Sequence, residues 1–447
     1  MSKIRLFGTS SGYVEIAPAA AASNNTLTVP STVGEIIAKD AAGAIGITSM
    51  KASNVNVGAA VTITESGIEA SGIGITCANI NGGQIGSRRN IVINGAMNIA
   101  QRGTSIAITG STNGYTADRF FTENNHDGAW TFTQSSDAPD NKFKNSLKVD
   151  VTTADTSLAS SQYCQIQHRI EAQYLHAVEN FRQPMTFSFW VKSNKTGNYS
   201  FTLQQNDNSN RQMPGQYTIN AANTWEKKII TVPADSSGLV NDDNGIGLIL
   251  TWGLAYGSNY TSGSVATNNA FEAYSGGDFG VGQGVNLLDS TDNEWYLTGV
   301  QMEVGSQATP FEHRSFTDEL ALCQRYYYKS TQYGYKIQNP IDSAQTVDGD
   351  GFLGWVFYNN TSCRSPHYNH PVEMRATPTV NFYSSDRVAS PSDGKMALYT
   401  LSAWVNLSSN TATVNTRRLA IKGVSATNFS AAQVYLIGGG FECGAEL

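Results

Sequence analysis

The rings in this chain are distributed so unevenly that they divide it. Of its 18 Phe, 7 Trp and 20 Tyr residues, only Phe7 and Tyr13 precede Tyr115. From Val14 to Gly114 there is none. A hundred residues without a ring can draw only on aliphatic side chains for a core, and between Val14 and Arg88 these are sparse, about one Val, Ile, Leu or Met in every four residues. Burial on that scale in a single chain does not offset the entropy of ordering the backbone. The segment is therefore either a flexible low-complexity linker or a structure that other chains complete.

Its regularity favours completion. "SNVNVGAAVTITESGIEASGIGITCANINGGQIG" (53–86) sets Val55, Val57, Val61, Ile63, Ile68, Ile73, Ile75, Ile80 and Ile85 in short alternating bursts, with Gly, Ala and Ser between them. Each burst reads as a strand of two to four residues with one apolar face. A slender trimeric β-stalk over 49–88, each strand completed by neighbouring protomers, meets these constraints. Ahead of it, Tyr13–Ile16 and Leu27–Val29 read as strands, and residues 1–48 as an attachment region.

Beyond residue 88 the pattern is that of a globular β-domain. "MTFSFWVKS" (185–193) alternates Met185, Phe187, Phe189 and Val191 against Thr186, Ser188, Trp190 and Lys192. "YSFTLQQN" (199–206), "NTWEKKIITVPA" (223–234) and "EWYLTGVQMEVGS" (294–306) continue the series. Many such strands with Gly, Asn and Asp turns predict an antiparallel sandwich over 89–329, a jelly roll by preference. "TPFEHRSFTDELALCQRYYYKS" (309–330) breaks the pattern. Ser315 or Thr317 can cap a helix, Asp318 and Glu319 suit its first turn, and Leu320, Cys323 and Tyr327 fall on one face. One short helix is expected near 316–328, its apolar face either on a symmetry axis or over a sheet edge of the same chain. Residues 330–447 add strands at "FLGWVFYNN" (352–360), "TVNFYSS" (379–385), "MALYTLSAWVNL" (396–407) and "AAQVYLIGGGFECGAEL" (431–447), and read as a distal β-domain.

Other properties narrow the function. Net charge is −7 and only 15% of residues are charged, with adjacent basic pairs at Arg88–Arg89, Lys227–Lys228 and Arg417–Arg418 and no basic cluster; no nucleic-acid partner is expected. No run reaches the roughly 20 apolar residues of a membrane span, so no membrane insertion is expected, and the start of the chain has no secretory h-region. The five cysteines are odd in number, far apart and without a CxxC, which suits a reducing compartment. "GTSSG" (8–12) lacks the strand–turn–helix setting of a nucleophile elbow, "VDGDGF" (347–352) lacks the other ligands of a calcium loop, and His367 and His370 in "PHYNHP" are a weak metal pair. No cofactor and no catalytic set is expected. Sugar binding needs ring faces and amides, and two stretches supply them. "TWGLAYGSNYTSGS" (251–264) carries Trp252, Tyr256 and Tyr260. "WVFYNNTSCRSPHYNH" (355–370) carries Tyr358, Asn359, Asn360, Tyr368 and Asn369.

The stretch "TFSFWVKSNKTGNYSFTLQ…YTINAANTWEKKIITVPAD" resembles galactose-binding-like carbohydrate-binding modules. "RRNIVINGAMNIAQRGTS" (88–105), "YTADRFF" (115–121) and "LTGVQMEVGSQATPFEHRSFTDELALCQRYYYKS" (297–330) resemble tail-fibre and receptor-binding proteins of marine bacteriophages, over roughly residues 4–330. The resemblance implies an elongated homotrimeric fibre of the virion, assembled in the host cytoplasm. Its N-terminus would join a tail adaptor, nozzle or baseplate protein, or the capsid, and its distal end would meet a host cell-surface glycan. A virion polysaccharide depolymerase of the same build and a bacterial adhesin are the alternatives.

Overall fold

The computed structural model describes residues 4–7, 13–16, 54–57, 61–64, 67–70, 88–177, 181–207, 210–264, 270–331, 333–334, 356–359, 362–384, 394–399, 404–424 and 436–447. It falls into two units, divided between Thr76 and Cys77. In the first, β1 (Ile4–Phe7) and β2 (Tyr13–Ile16) form an antiparallel hairpin. β3 (Asn54–Val57), β4 (Val61–Thr64) and β5 (Gly67–Ala70) form a three-stranded antiparallel meander, Val55 opposite Ile63 and Ile63 opposite Ile68. The expected strands at 55–57, 61–63 and 68 are present and pair with one another in the order β3-β4-β5. Leu27–Val29, Ile73, Ile75, Ile80 and Ile85 lie outside the described residues.

The second unit contains an antiparallel sandwich. Its strands are β6 (Ser105–Thr109), β7 (Gly114–Tyr115), β8 (Phe120–Asn125), β9 (Ala129–Ser135), β10 (Ser146–Thr153), β11 (Tyr163–Glu171), β12 (Met185–Ser193), β13 (Gly197–Gln205), β14 (Arg211–Ile219), β15 (Glu226–Val232), β16 (Ile246–Tyr256), β17 (Glu272–Ala273) and β18 (Glu294–Val304). Six strands pair in the order β15-β12-β18-β10-β9-β6, and seven in the order β17-β14-β13-β16-β11-β8-β7. The chain crosses repeatedly from one sheet to the other, as jelly rolls do. Inward-facing rings fill the interior: Trp130, Trp252, Trp295, Phe120, Phe132, Phe187 and Phe189 are all fully buried. The register of β12 on β18 shifts between Ser188 and Trp190, opposite Gly299, whose φ of 61° and whose closeness to the Trp190 and Phe143 rings (a Cβ would stand 2.8 and 3.0 Å away) admit only glycine.

Residues 90–100 form a buried strap across this unit, held by asparagine amides. Asn90 donates to Val300 O and accepts from the Val92 and Met302 amides; Asn94 donates to Ile99 O and Asp118 O. Two short helices, α1 (Ala172–Ala177) and α2 (Ser258–Thr261), precede α3 (Phe316–Gln324). Ser315 is the cap of α3, accepting from the Asp318 amide at 3.1 Å. Cys323 and Tyr326 close a small cluster with Ile93 and Ile99 of the strap, so α3 covers elements of its own chain. The helix stops earlier than expected because Tyr327 is claimed by a strand.

That strand, β19 (Tyr327–Lys329), opens the C-terminal region. β28 (Leu436–Gly444) pairs with β19, β23 (Thr379–Ser384) and β24 (Ala397–Tyr399), and β24 also pairs with β25 (Trp404–Asn406). A second sheet orders β20 (Val356–Asn359), β21 (Ser362–Arg364), β27 (Arg418–Val424) and β22 (Tyr368–Asn369), with β26 (Ser409–Val414) on β27. Tyr328, Met374, Met396, Leu419, Ile421 and Phe441 form the core between them. Ion pairs tie the end of α3 and this region to the sandwich unit: Arg325, the C-cap of α3, grips Glu171 at 2.8 and 2.9 Å, Arg102 meets Glu446 at 2.9 Å, and the buried Arg119 also holds Glu446.

Candidate functional site

β11 reads "YCQIQHRIE". Cys164, Ile166 and Ile170 enter the core, so by alternation Tyr163, Gln165, Gln167 and Arg169 line the opposite face of the seven-stranded sheet. That face is hollowed into a groove of about 300 Å³, walled by residues of β8, β11, β13 and β16 and of the segments that follow β16 and β17.

The floor is one connected polar network. Glu123 of β8 accepts from Gln165 Nε2 at 2.9 Å and from Gln167 Nε2 at 2.7 Å. Gln165 Oε1 accepts from the Tyr256 hydroxyl, and Gln167 Oε1 from Arg169 Nε and Nη2 at 3.2 and 3.0 Å. Arg169 Nη1 donates to Leu447 O at 2.6 Å. Each glutamine thus donates on one side and accepts on the other, which fixes its orientation. The guanidinium is committed to its neighbours and faces the Phe121 ring at 5.1 Å.

Rings line the groove in a continuous series. Tyr163 meets Tyr260 at 5.4 Å between centroids, Tyr260 meets Tyr256 at 5.8 Å, Tyr256 meets Phe279 at 6.1 Å and Phe279 meets Tyr274 at 6.4 Å. Tyr274 is 42% exposed and Tyr260 half-buried, so both offer ring surface to a ligand. Tyr256 lies deeper, against Gly280, where a Cβ would come within 2.4 Å of its ring. Burial, and secondarily neighbouring acidic groups, raise the phenol pKa values of Tyr163, Tyr256 and Tyr260, so all three stay protonated donors.

The expected residues fare unequally. Tyr256 and Tyr260 come together in this groove. Trp252 does not: it is fully buried in the core, 5.5 and 5.8 Å from the Phe187 and Phe189 rings, and shows no face to solvent. Its stretch is a strand, not a loop, because eleven mostly apolar residues from Ile246 to Tyr256 run through the middle of the sheet. Tyr358 and Asn359 lie on β20, where the backbone alone is described, and Asn360 lies outside the described residues. Tyr368 is half-buried against the C-terminal core, and Asn369 is exposed beside it. His367 is exposed, whereas His370 is buried with both ring nitrogens engaged, by the Tyr328 hydroxyl at 2.6 Å and Asn415 O at 2.8 Å. The pair therefore does not present two free nitrogens to a metal, and among the described residues no group of three or more metal-ligating side chains occurs. Nor, among them, is any helix long and apolar enough to cross a membrane. Glu123, Tyr163, Gln165, Gln167, Arg169 and Tyr274 were not among the expected site residues. The alternation of β11, amides on one face and apolar residues on the other, is the signal that marks most of them.

No family model and no curated protein matches the chain. Solved structures with similarity include the enzymatically active domain of tailspike protein 4 from bacteriophage CBA120, at 13% identity and a TM-score of 0.26, over 48% of this chain and 21% of that one. A family 11 carbohydrate-binding module of a Clostridium thermocellum cellulosomal cellulase aligns at 11% identity and a TM-score of 0.23, over 47% of this chain and 91% of the module. A tandem CBM22 domain from Paenibacillus barcinonensis aligns at 9% identity and a TM-score of 0.24, over 81% of this chain and all of that one. The chain thus spans about a fifth of the tailspike domain.

Proposed function

We propose that this chain is a non-enzymatic glycan-binding protein of a bacteriophage fibre, and that it holds its glycan in the groove of the seven-stranded sheet. The observation that carries the binding role is the groove itself: a row of tyrosine rings above a pre-oriented floor of amides and one carboxylate. Ring faces suit the C–H surfaces of a pyranose, and fixed donors and acceptors suit its hydroxyls. Glu123 is the sole carboxylate among the described lining residues, whereas most glycoside hydrolases use two; this supports binding without cleavage. The fibre role rests on the resemblance of 88–105, 115–121 and 297–330 to phage fibres. In this reading the protein is a homotrimer in the virion, joined through its N-terminal region to a tail adaptor, nozzle or baseplate protein.

The test uses the full chain on purified surface polysaccharides and an array of neutral glycans. Tyr260→Ala with Tyr274→Ala is expected to weaken binding tenfold or more, about 1.4 kcal/mol, with thermal stability unchanged. Equal binding by that variant overturns the groove assignment. Release of new reducing ends from a bound polysaccharide overturns the non-enzymatic reading.

A further inference from the structure

A second cleft, of about 330 Å³, lies where the edge strands β6 and β7 of the sandwich face the C-terminal sheet. Its floor comes from three adjacent strands. Thr379, Asn381 and Tyr383 alternate along β23 on the cleft side, while Val380 and Phe382 pack into the C-terminal core. Glu442 of β28 stands opposite Asn381, and Tyr327 of β19 lies on the far side of β28. Glu442 accepts from Asn381 Nδ2 at 2.9 Å and from the Tyr383 and Tyr327 hydroxyls, each at 2.8 Å. One wall is a stack in which the Arg102 guanidinium lies 4.4 Å from the Tyr115 ring centroid and 3.6 Å from that of Tyr327.

Two properties define what such a cleft can take. Both phenols spend their protons on Glu442, so their oxygens are left as acceptors, and a ligand must bring hydroxyl donors. Neither charged group of the cleft is left without partners: Glu442 accepts from three neutral donors, and Arg102 is paired with Glu446. That favours a neutral ligand over an ionic one. The walls are also pinned, Gln101 Nε2 donating to Tyr327 O at 2.8 Å and the Ala445 amide to Tyr326 O at 2.7 Å, so little ordering is left for binding to cost. We propose that this seam cleft is a second binding site, for a neutral saccharide presented by its hydroxyl groups. Two sites on one chain would let two parts of a single polysaccharide be held together, raising avidity beyond either site alone.

The experiment takes the full chain carrying Tyr260→Ala and Tyr274→Ala, which silences the groove, and titrates it by saturation-transfer NMR with neutral disaccharides and trisaccharides, sialyllactose serving as the acidic control. At least one neutral sugar is expected to bind. Adding Asn381→Ala with Tyr383→Ala should weaken it tenfold or more; Tyr383→Phe, which deletes one hydrogen bond and keeps the ring, replaces that pair if it misfolds. The proposal is overturned if the groove-silenced chain binds no sugar of the panel, if sialyllactose is preferred, or if the seam substitutions change affinity less than threefold. Wild-type binding that disappears with the groove variant sinks the seam site alone. Wild-type affinity that the groove substitutions leave undiminished, and that the seam substitutions alone abolish, sinks the groove instead.

Discussion

His168 sits on β11 among the core-facing residues, fully buried, with Nε2 3.0 Å from Ile93 O. That contact requires a proton on Nε2. Nδ1 is then bare, and it has no partner in the interior. Burial first, and the Arg119 charge second, lower the ring's pKa from 6.5 to about 3. The folded chain therefore resists a proton that the unfolded chain accepts. Stability is complete above pH 6.5 and falls as pH drops from there towards 3. Between pH 6.5 and 5 the loss from this group is about 2 kcal/mol. His168→Gln keeps a donor for Ile93 O without the titration. Its urea midpoint, followed by tryptophan fluorescence, should fall less between pH 7.5 and 5 than that of the wild type. Parallel losses in the two proteins would show that His168 is not the group responsible.

At the scale of elements, α3 tests whether a nine-residue helix owes more to its cap or to its packing. Ser315→Ala removes one capping bond at an exposed end, at about 1 kcal/mol. Glu319 lies in the first turn of the helix, accepts from the Asn94 amide of the strap, and pairs with Arg314 Nη1 at 3.3 Å. Glu319→Ala leaves both donors without that acceptor, at about 1–3 kcal/mol. Calorimetry should therefore rank Glu319→Ala below Ser315→Ala in melting temperature; the reverse order would mean that the strap does not depend on the helix. The cap and acidic first turn of α3 were legible in the sequence because capping is local. Strands β12 and β18 were legible because each alternates and faces one core. The groove was not, since a strand face of Gln165, Gln167 and Arg169 reads like any solvated face until Glu123 is brought beside it from 42 residues away. Trp252 misled for a related reason. "TWGLAYGSNY" reads as a loop when its glycines are weighed and the apolar run from Ile246 is not; Gly253 is there because the Tyr256 ring lies where its Cβ would be.

For the whole molecule, the open matter is what covers the apolar face of the first unit. By register, Val55, Val57, Val61, Ile63 and Ile68 occupy one face of the β3–β5 meander, and Asn56, Thr62, Thr64 and Glu69 the other. Three strands of four residues are near the lower limit of independent stability even with a packed face. No aromatic residue lies between Val14 and Gly114 to strengthen that face. Further copies of the same chain are the economical cover, since symmetry brings identical faces together around an axis. The full chain should sediment as a trimer of the 48.0 kDa protomer at micromolar concentration. Ile63→Asp places a charge in the centre of that face, and burying it unpaired costs several kcal/mol; the variant should sediment as the monomer while the sandwich keeps its melting temperature and the groove its glycan affinity. A wild-type chain that sediments as a single 48.0 kDa species would remove the trimer from the proposed function and leave the groove untouched. Ile63→Asp that stays trimeric would place the contacts between chains outside this meander.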